Sequence, residues 1–521
     1  MTPSAIHRLA ALLLVLVHAL GGAAPGPGAV ERDAAPPAQA APAQSTLPWL
    51  DDGATPARRA VELLRNAPAD GLDPAAYGAE ELARRLDGPL DGQGAAAFER
   101  DLDSSMSRFL NDVHTGRVDA GYRASDRTAS DFDPHRLLAA AYRNGRLDQV
   151  VGAAAPPLAL YRRVKQSLAQ YRELARLYPE WPALPAVPGR GIAAGAPYAG
   201  AAMLRQRLQL LSDLDPEADV ATGSDSVYTE ELAAAVKRFQ ARHGLAPDGV
   251  LGPDTLDALA VPLTQRVAQL ALTLERLRWL PPLARGRVVA VNLPAYRLWA
   301  FDTTHGAAEP VLEMRVIVGT ALTTQTPLFV GRMQYLEINP YWNVPHSIAA
   351  GEIAPKLASD PGYLRRNDME LVSAAGAIVA ETPGAPAALR AGTLRVRQRP
   401  GHGNVLGALK FAMPNPMNIY LHSTSAQALF DRTRRDLSHG CIRVEQPVDL
   451  AQFVLADPLR WDRAALQAAI DGGRTRTVAL ATPVPVVLFY ATALADSEGH
   501  TLFAQDIYRL DDALVRRLHL R

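Results

Sequence analysis

Ser438-His439-Gly440-Cys441-Ile442-Arg443-Val444, read with Tyr420-Leu421-His422-Ser423 upstream, holds the single cysteine of a 521-residue chain. A lone thiol forms no internal disulfide, so it is either a small buried hydrophobe or a nucleophile. Its neighbours favour the nucleophile. His439 stands two residues before it and His422 nineteen before it. A thiol near its free pKa is mostly protonated at neutral pH, and a neighbouring imidazole can take the proton and hold the thiolate. Gly440 permits a tight turn that brings amide N–H groups toward the reacting centre. Side chains alternate along a strand, so Tyr420 and His422 point to one face while Ile419 and Leu421 point to the other.

Working outward, the pattern from Arg287 alternates. RVVAVNLP, YRLWAFD, LEMRVIVG, RMQYLEIN and NIYLH are strand-like runs broken by Gly, Pro and Asn. Between about His346 and Arg399 the alternation loosens, and so long a break inside a β domain reads as a functional lid. After Val444, PVDLAQFVLAD is a helix with Pro447 in its first turn. A final strand pair follows around Ser497-Glu498-Gly499.

Upstream, the period is helical. ARRAVELLRNA, AEELARRLD, AAFERDLDSSMSRFLNDVHTG and LYRRVKQSLAQYRELARLY space apolar residues three and four apart, with Leu102, Met106, Phe109, Leu110 and Val113 on one face. AAMLRQRLQLLSDL and TEELAAAVKRFQARHGLAPDGVLGPDTLDALAVPL form a small helical module with Val236, Phe239, Leu245, Leu256 and Leu259 as core. LTQRVAQLALTLERLRWL is a linking helix with Leu270, Leu274 and Leu277 on one side, stopped by Pro281 and Pro282.

At the N-terminus His7 and Arg8 precede the apolar run Leu9 to Leu20, and Gly21, Gly22, Ala23 and Ala24 follow. This reads as an export signal, either cleaved or retained as an anchor, and in both cases the rest lies outside the cytoplasm. The Ala/Pro-rich stretch behind it is an extended linker. Lys+Arg and Asp+Glu both number 54, so no basic field exists to attract nucleic acid or an anionic membrane surface. A membrane contact is expected only through an uncleaved signal. One Cys and scattered His lack zinc-ligand spacing, so no metal is expected.

At the Cys441 motif the sequence resembles the L,D-transpeptidase catalytic domain of bacterial cell-wall enzymes. MRVIVGTALTTQTPLF, INPYWNVPHSIA, RQRPGHGNVLGALKFAMPNPMNIYLHST and LSHGCIRVEQP are similar to the large Gram-negative, periplasmic members of that family. VKRFQARHGLAPDGVLGPDTLDAL resembles the three-helix peptidoglycan-binding module, serving either as a sugar or stem-peptide binder or as architecture alone. The resemblance implies a multidomain α+β chain. Its expected parts are an export signal (1–24), a linker (25–47), a helical scaffold domain (48–199) and a peptidoglycan-binding-like domain (200–263). A linking helix (264–286), a β-rich catalytic domain (287–510) with a capping insertion at about 346–399, and a tail (511–521) complete it.

The resemblance further implies that Cys441 is the nucleophile and His422 its base, with the second ring nitrogen held by the Ser423 carbonyl. His439 is an alternative base. His439 and Gly440 shape the pocket and, with the Cys441 N–H, serve the oxyanion. Arg443 is a candidate for orienting a substrate carboxylate, or else a structural salt bridge. Tyr420, Ser423, Trp342 and Asn343 are candidates for substrate contact, Tyr420, Trp342 and Asn343 having core or edge packing as the other reading. The implied reaction needs no cofactor: a thioester forms on Cys441 as D-alanine leaves a tetrapeptide stem, and a second stem's amine completes a crosslink. Peptidoglycan stems and glycan are the expected partners, with other cell-wall synthesis proteins as further candidates, in the periplasm. A cysteine peptidase or amidase using the same residues, and a noncatalytic wall-binding protein, are the rival readings.

Overall fold

The structure, a computed structural model, describes residues 47–118, 132–215, 224–281, 285–304 and 310–518. The expected signal and nearly all of the linker lie outside them. Among the described residues no helix is long and apolar enough to cross a membrane.

The N-terminal domain is helical. Its longest helix, Gly92–Thr115, is capped by Asp91, whose carboxylate accepts from Gly94 N–H. Leu102, Met106, Phe109, Leu110 and Val113 all face inward from it, packing with Trp49, Leu64 and Phe98. The small module places helices Ala201–Leu210, Glu230–Arg242 and Pro253–Ala260 around Leu204, Val236, Phe239 and Leu259. Buried Gln240 holds its Asp248-Gly249 turn, donating to Asp248 Oδ1 and accepting from Gly249 N–H, both at 2.9 Å. Leu256 is only partly buried against this core, and half-buried Leu245 stands outside it.

The linking helix, Leu263–Arg278, differs from expectation. From Leu270 onward it is buried on every side, with Thr273, Glu275, Arg276 and Arg278 inside as well as the leucines, and Arg266 is buried in the turn before. Pairing makes this tolerable. Fully buried Arg278 donates to the Tyr161 phenol at 2.8 Å and faces Glu275 at 3.3 Å. Glu275 also accepts from Arg117 N–H at 2.7 Å and from the Trp279 indole at 3.0 Å. Arg278→Ala would strand a buried carboxylate, and a loss of about 3–5 kcal/mol in urea unfolding is expected.

The C-terminal part contains β1 (Arg287–Asn292), β2 (Arg297–Asp302), β3 (Leu312–Gly319), β4 (Phe329–Ile338), β5 (Trp342–Asn343), β6 (Met369–Ser373), β7 (Ile378–Val379), β8 (Leu394–Gln398), β9 (Leu409–Ala412), β10 (Leu421–His422), β11 (Asp436–Ser438), β12 (Ile442–Val444), β13 (Arg476–Phe489), β14 (Ala493–Ala495) and β15 (Thr501–Phe503). Nine of them pair in the order β11-β3-β12-β10-β9-β4-β13-β1-β2, and β2 also pairs with β3, so the sheet closes on itself. Val289, Leu298, Val316, Leu336, Phe411, Leu421, Ile442 and Val486 fill the inside. The chain as a whole is α+β.

The inserted segment is a folded subdomain. β5, β8, β6 and β7 form their own sheet, packed with helices over a separate core that runs from Trp342 to Leu406, wider than the expected 346–399. The final strand pair is β14–β15, and β13 belongs to the barrel. The expected tail is instead part of a helix, Leu510–Leu518, whose Leu514 and Leu518 pack on Leu272 and Trp279 of the central helical segment.

Candidate active site

The barrel register gathers the candidate residues. β10 and β12 run parallel, with Leu421 opposite Ile442 and His422 opposite Arg443, and Ile442 N–H donates to Tyr420 O at 3.1 Å. Alternation then sends Ile419, Leu421, Ile442 and Val444 inward and Tyr420, His422, Cys441 and Arg443 to the outer face. β9 sets Lys410 opposite His422, and β4 sets Glu337 opposite Lys410. Lys410 Nζ reaches Glu337 at 3.1 Å and lies 4.9 Å from the Tyr420 ring centre.

The part-buried Cys441 thiol lies 3.7 Å from Asn418 O. Burial pushes it up, and contacts with the Tyr420 backbone and phenol oppose that rise. His422 is 3% exposed, and its Nδ1 meets Ser423 O at 2.6 Å. A proton on Nδ1 leaves Nε2 as an acceptor. Burial, then the charge of Arg443, pushes this ring down to about 3, so it is neutral at physiological pH. An unfolded histidine binds its proton near pH 6.5. The unfolded chain therefore holds more protons between about pH 3 and 6.5, and stability rises with pH across that window. Melting temperature is expected to drop as pH is lowered from about 6.5 toward about 4, with a shallower drop in His422→Gln.

Arg443 forms no ion pair among the described residues. Its Nε is buried without a hydrogen-bond partner, and burial pushes its pKa down while Cys441 opposes. His439 meets the capping subdomain. It is half exposed, and its Nε2 lies 2.7 Å from Glu352 Oε1 on a π turn, Ala349–Ile353, of the capping subdomain. Ser423 stands differently from a substrate contact: buried, its hydroxyl donates to Leu406 O at 3.0 Å and accepts from Leu409 N–H at 2.9 Å. Trp342 belongs to the capping core, and Tyr420 packs against that core, which joins cap to site. Asn343 is exposed on the cap sheet.

The turn carrying the thiol is braced from beneath. Ser438 Oγ donates to Cys441 O at 2.6 Å and accepts from Gly440 N–H at 3.1 Å. Gly440 has φ of +110°, a conformation L side chains rarely adopt, which explains the glycine. Its own N–H is taken by Ser438. Sequence reasoning missed Lys410, Glu337, Ser438 and Glu352. The alternation of LKFA and YLEI does carry the signal for the first two.

Residues 286–486 match the family model of the L,D-transpeptidase catalytic domain, residues 42–168 that of the scaffold domain, and residues 200–259 that described as "Putative peptidoglycan binding domain". The β-rich part of this chain is thus similar to the L,D-transpeptidase catalytic domain, and stretches similar to the scaffold and peptidoglycan-binding domains stand ahead of it. A Haemophilus influenzae protein described as "Putative L,D-transpeptidase" is 32% identical over 249 residues, 47% of this chain and 48% of that protein. The chain thus matches about half the length of this curated relative. Among solved structures, an L,D-transpeptidase from Xylanimonas cellulosilytica is 18% identical, covering 58% of this chain and 100% of its own, with a TM-score of 0.18. One from Stackebrandtia nassauensis is 15% identical, covering 59% and 97%, with a TM-score of 0.22.

Proposed function

We propose that this chain is an exported peptidoglycan L,D-transpeptidase that joins third-position diamino acids of two stem peptides through a thioester on Cys441. The observation that carries this is the shared outer face of β10 and β12. His422 lies opposite Arg443 there, two residues on from Cys441, and the capping core reaches the same strand end through Tyr420.

In the first half-reaction the Cys441 sulfur adds to the carbonyl of the third stem residue. Its proton passes to His422 Nε2, and the oxyanion faces the Cys441 N–H. As the C–N bond to D-alanine breaks, His422 returns that proton to the leaving amine. Arg443 meets the substrate carboxylate with its planar fork. In the second half the side-chain amine of another stem attacks the thioester, His422 takes its proton, and the thiol is restored. Nothing is oxidised or reduced, and the thioester conserves the energy of the bond broken. The cap limits water, which would otherwise hydrolyse the intermediate. The peptidoglycan-binding domain would hold the chain on glycan or stem peptide, and the site of action would be the periplasm.

Mixing the purified chain with a tetrapeptide muropeptide tests the reading. Intact mass should gain the tripeptide fragment, D-alanine should appear, and crosslinked dimers should accumulate. Tripeptide without dimers would indicate a hydrolase. No adduct and an inert thiol would leave a noncatalytic wall-binding protein.

A further inference from the structure

The turn that carries the thiol rests on a side chain outside the matched catalytic domain. Tyr508, 5% exposed, lies beyond residue 486. Its phenol donates to Gly319 O at 2.7 Å and accepts from Thr326 N–H at 3.2 Å. Thr326, 2% exposed, then accepts from Gly319 N–H at 2.9 Å and donates to Gly440 O at 2.8 Å. Each hydroxyl has a single proton, so both directions are fixed. Tyr508 is itself held: its N–H donates to the Tyr490 phenol at 2.9 Å, and that phenol donates to Asp506.

The bond to Gly440 O matters because that carbonyl and the Cys441 N–H belong to one peptide unit. A trans peptide is planar, and its C=O and N–H point in opposite directions. A glycine at positive φ leaves such a unit easy to turn over. A donor that pins the carbonyl inward aims the N–H outward.

We infer that Tyr508 is a positioning residue: by seating Thr326 against Gly440 O, it fixes the Gly440–Cys441 peptide so that the Cys441 N–H faces an oxyanion formed at the thiol. The inference rests on the proposed acyl-transfer reading. Its test separates two reactions of the same sulfur. Attack on the carbonyl of p-nitrophenyl acetate builds an oxyanion, whereas alkylation by iodoacetamide builds none.

In the full chain, with the Cys441→Ala background subtracted, Thr326→Val should slow acylation about 100-fold and Tyr508→Phe about 10-fold. KM for the ester should stay within about twofold, alkylation should stay within about twofold, and Thr326→Ser should recover most of the acylation rate. Tyr77→Phe, which removes a buried phenol–carboxylate bond in the scaffold domain, should change neither reaction. Equal loss of both reactions, or normal acylation by Tyr508→Phe, overturns the inference. Release of D-alanine from the tetrapeptide is read separately. Its absence in a wild-type chain that still acylates from the ester would sink the transpeptidase reading and leave Tyr508 in place.

Discussion

Cys441→Ala should lose the covalent adduct and at least about 10⁴-fold in kcat/KM for release of D-alanine from a tetrapeptide, since it removes the only nucleophile of the proposed reaction. The magnitude separates chemistry from folding. The thiol is part-buried, with a long contact to Asn418 O at 3.7 Å and the contacts with Tyr420 described above. Deleting a single sulfur there should cost about 1 kcal/mol or less, so the melting temperature should hardly move. A variant that unfolds at the wild-type temperature yet gives no adduct by mass spectrometry fits the reading. A variant that keeps releasing D-alanine would end the assignment of Cys441.

Gly319→Ala is expected to do comparable damage by a different route. A Cβ at this position would sit 1.9 Å from Thr324 O, 2.8 Å from Thr326 N and 3.0 Å from Gly440 Cα. All three are backbone atoms, so no rotamer change relieves the collision. β3, the Thr324–Thr326 segment or the Ser438–Cys441 turn must shift. A cost of about 3 kcal/mol or more in urea unfolding is expected, at the upper end for overpacking, with transpeptidation lost beside it. Gly351→Ala is the control. It lies on the capping π turn with nothing within 4 Å of its would-be Cβ, and its stability should be unchanged or slightly raised.

The parts of this molecule legible in its sequence share one property: local spacing determines them. Alternation around Leu421 and Ile442 placed core and site on opposite faces, and the 3.6-residue period placed Phe109 and Leu110 inside the long scaffold helix. The β-rich domain and the small helical module were readable for the same reason. What stayed hidden depends on partners distant in the chain. Leu263–Arg278 reads as one-sided because Glu275 and Arg278 are charged, yet both are buried against Arg117, Tyr161 and each other. The destination of His439 depended on where Glu352 of the insertion would land. The capping subdomain lacks a strong period because its strands are short and its helices brief, so its core could not be seen in any one window. Residues 511–518 read as a tail because amphipathicity over so short a helix is visible only beside the surface it covers.

The position of β13 carries a consequence for how the molecule comes into being. This strand is the last of the barrel to be synthesised, yet it lies between β4 and β1, antiparallel to one and parallel to the other. A ribosome-bound chain ending before Arg476 would expose two long hydrogen-bonding edges, each a template for wrong pairing. Closure must await almost the whole polypeptide, so slow folding and a need for chaperone shelter during biogenesis follow from the strand order itself.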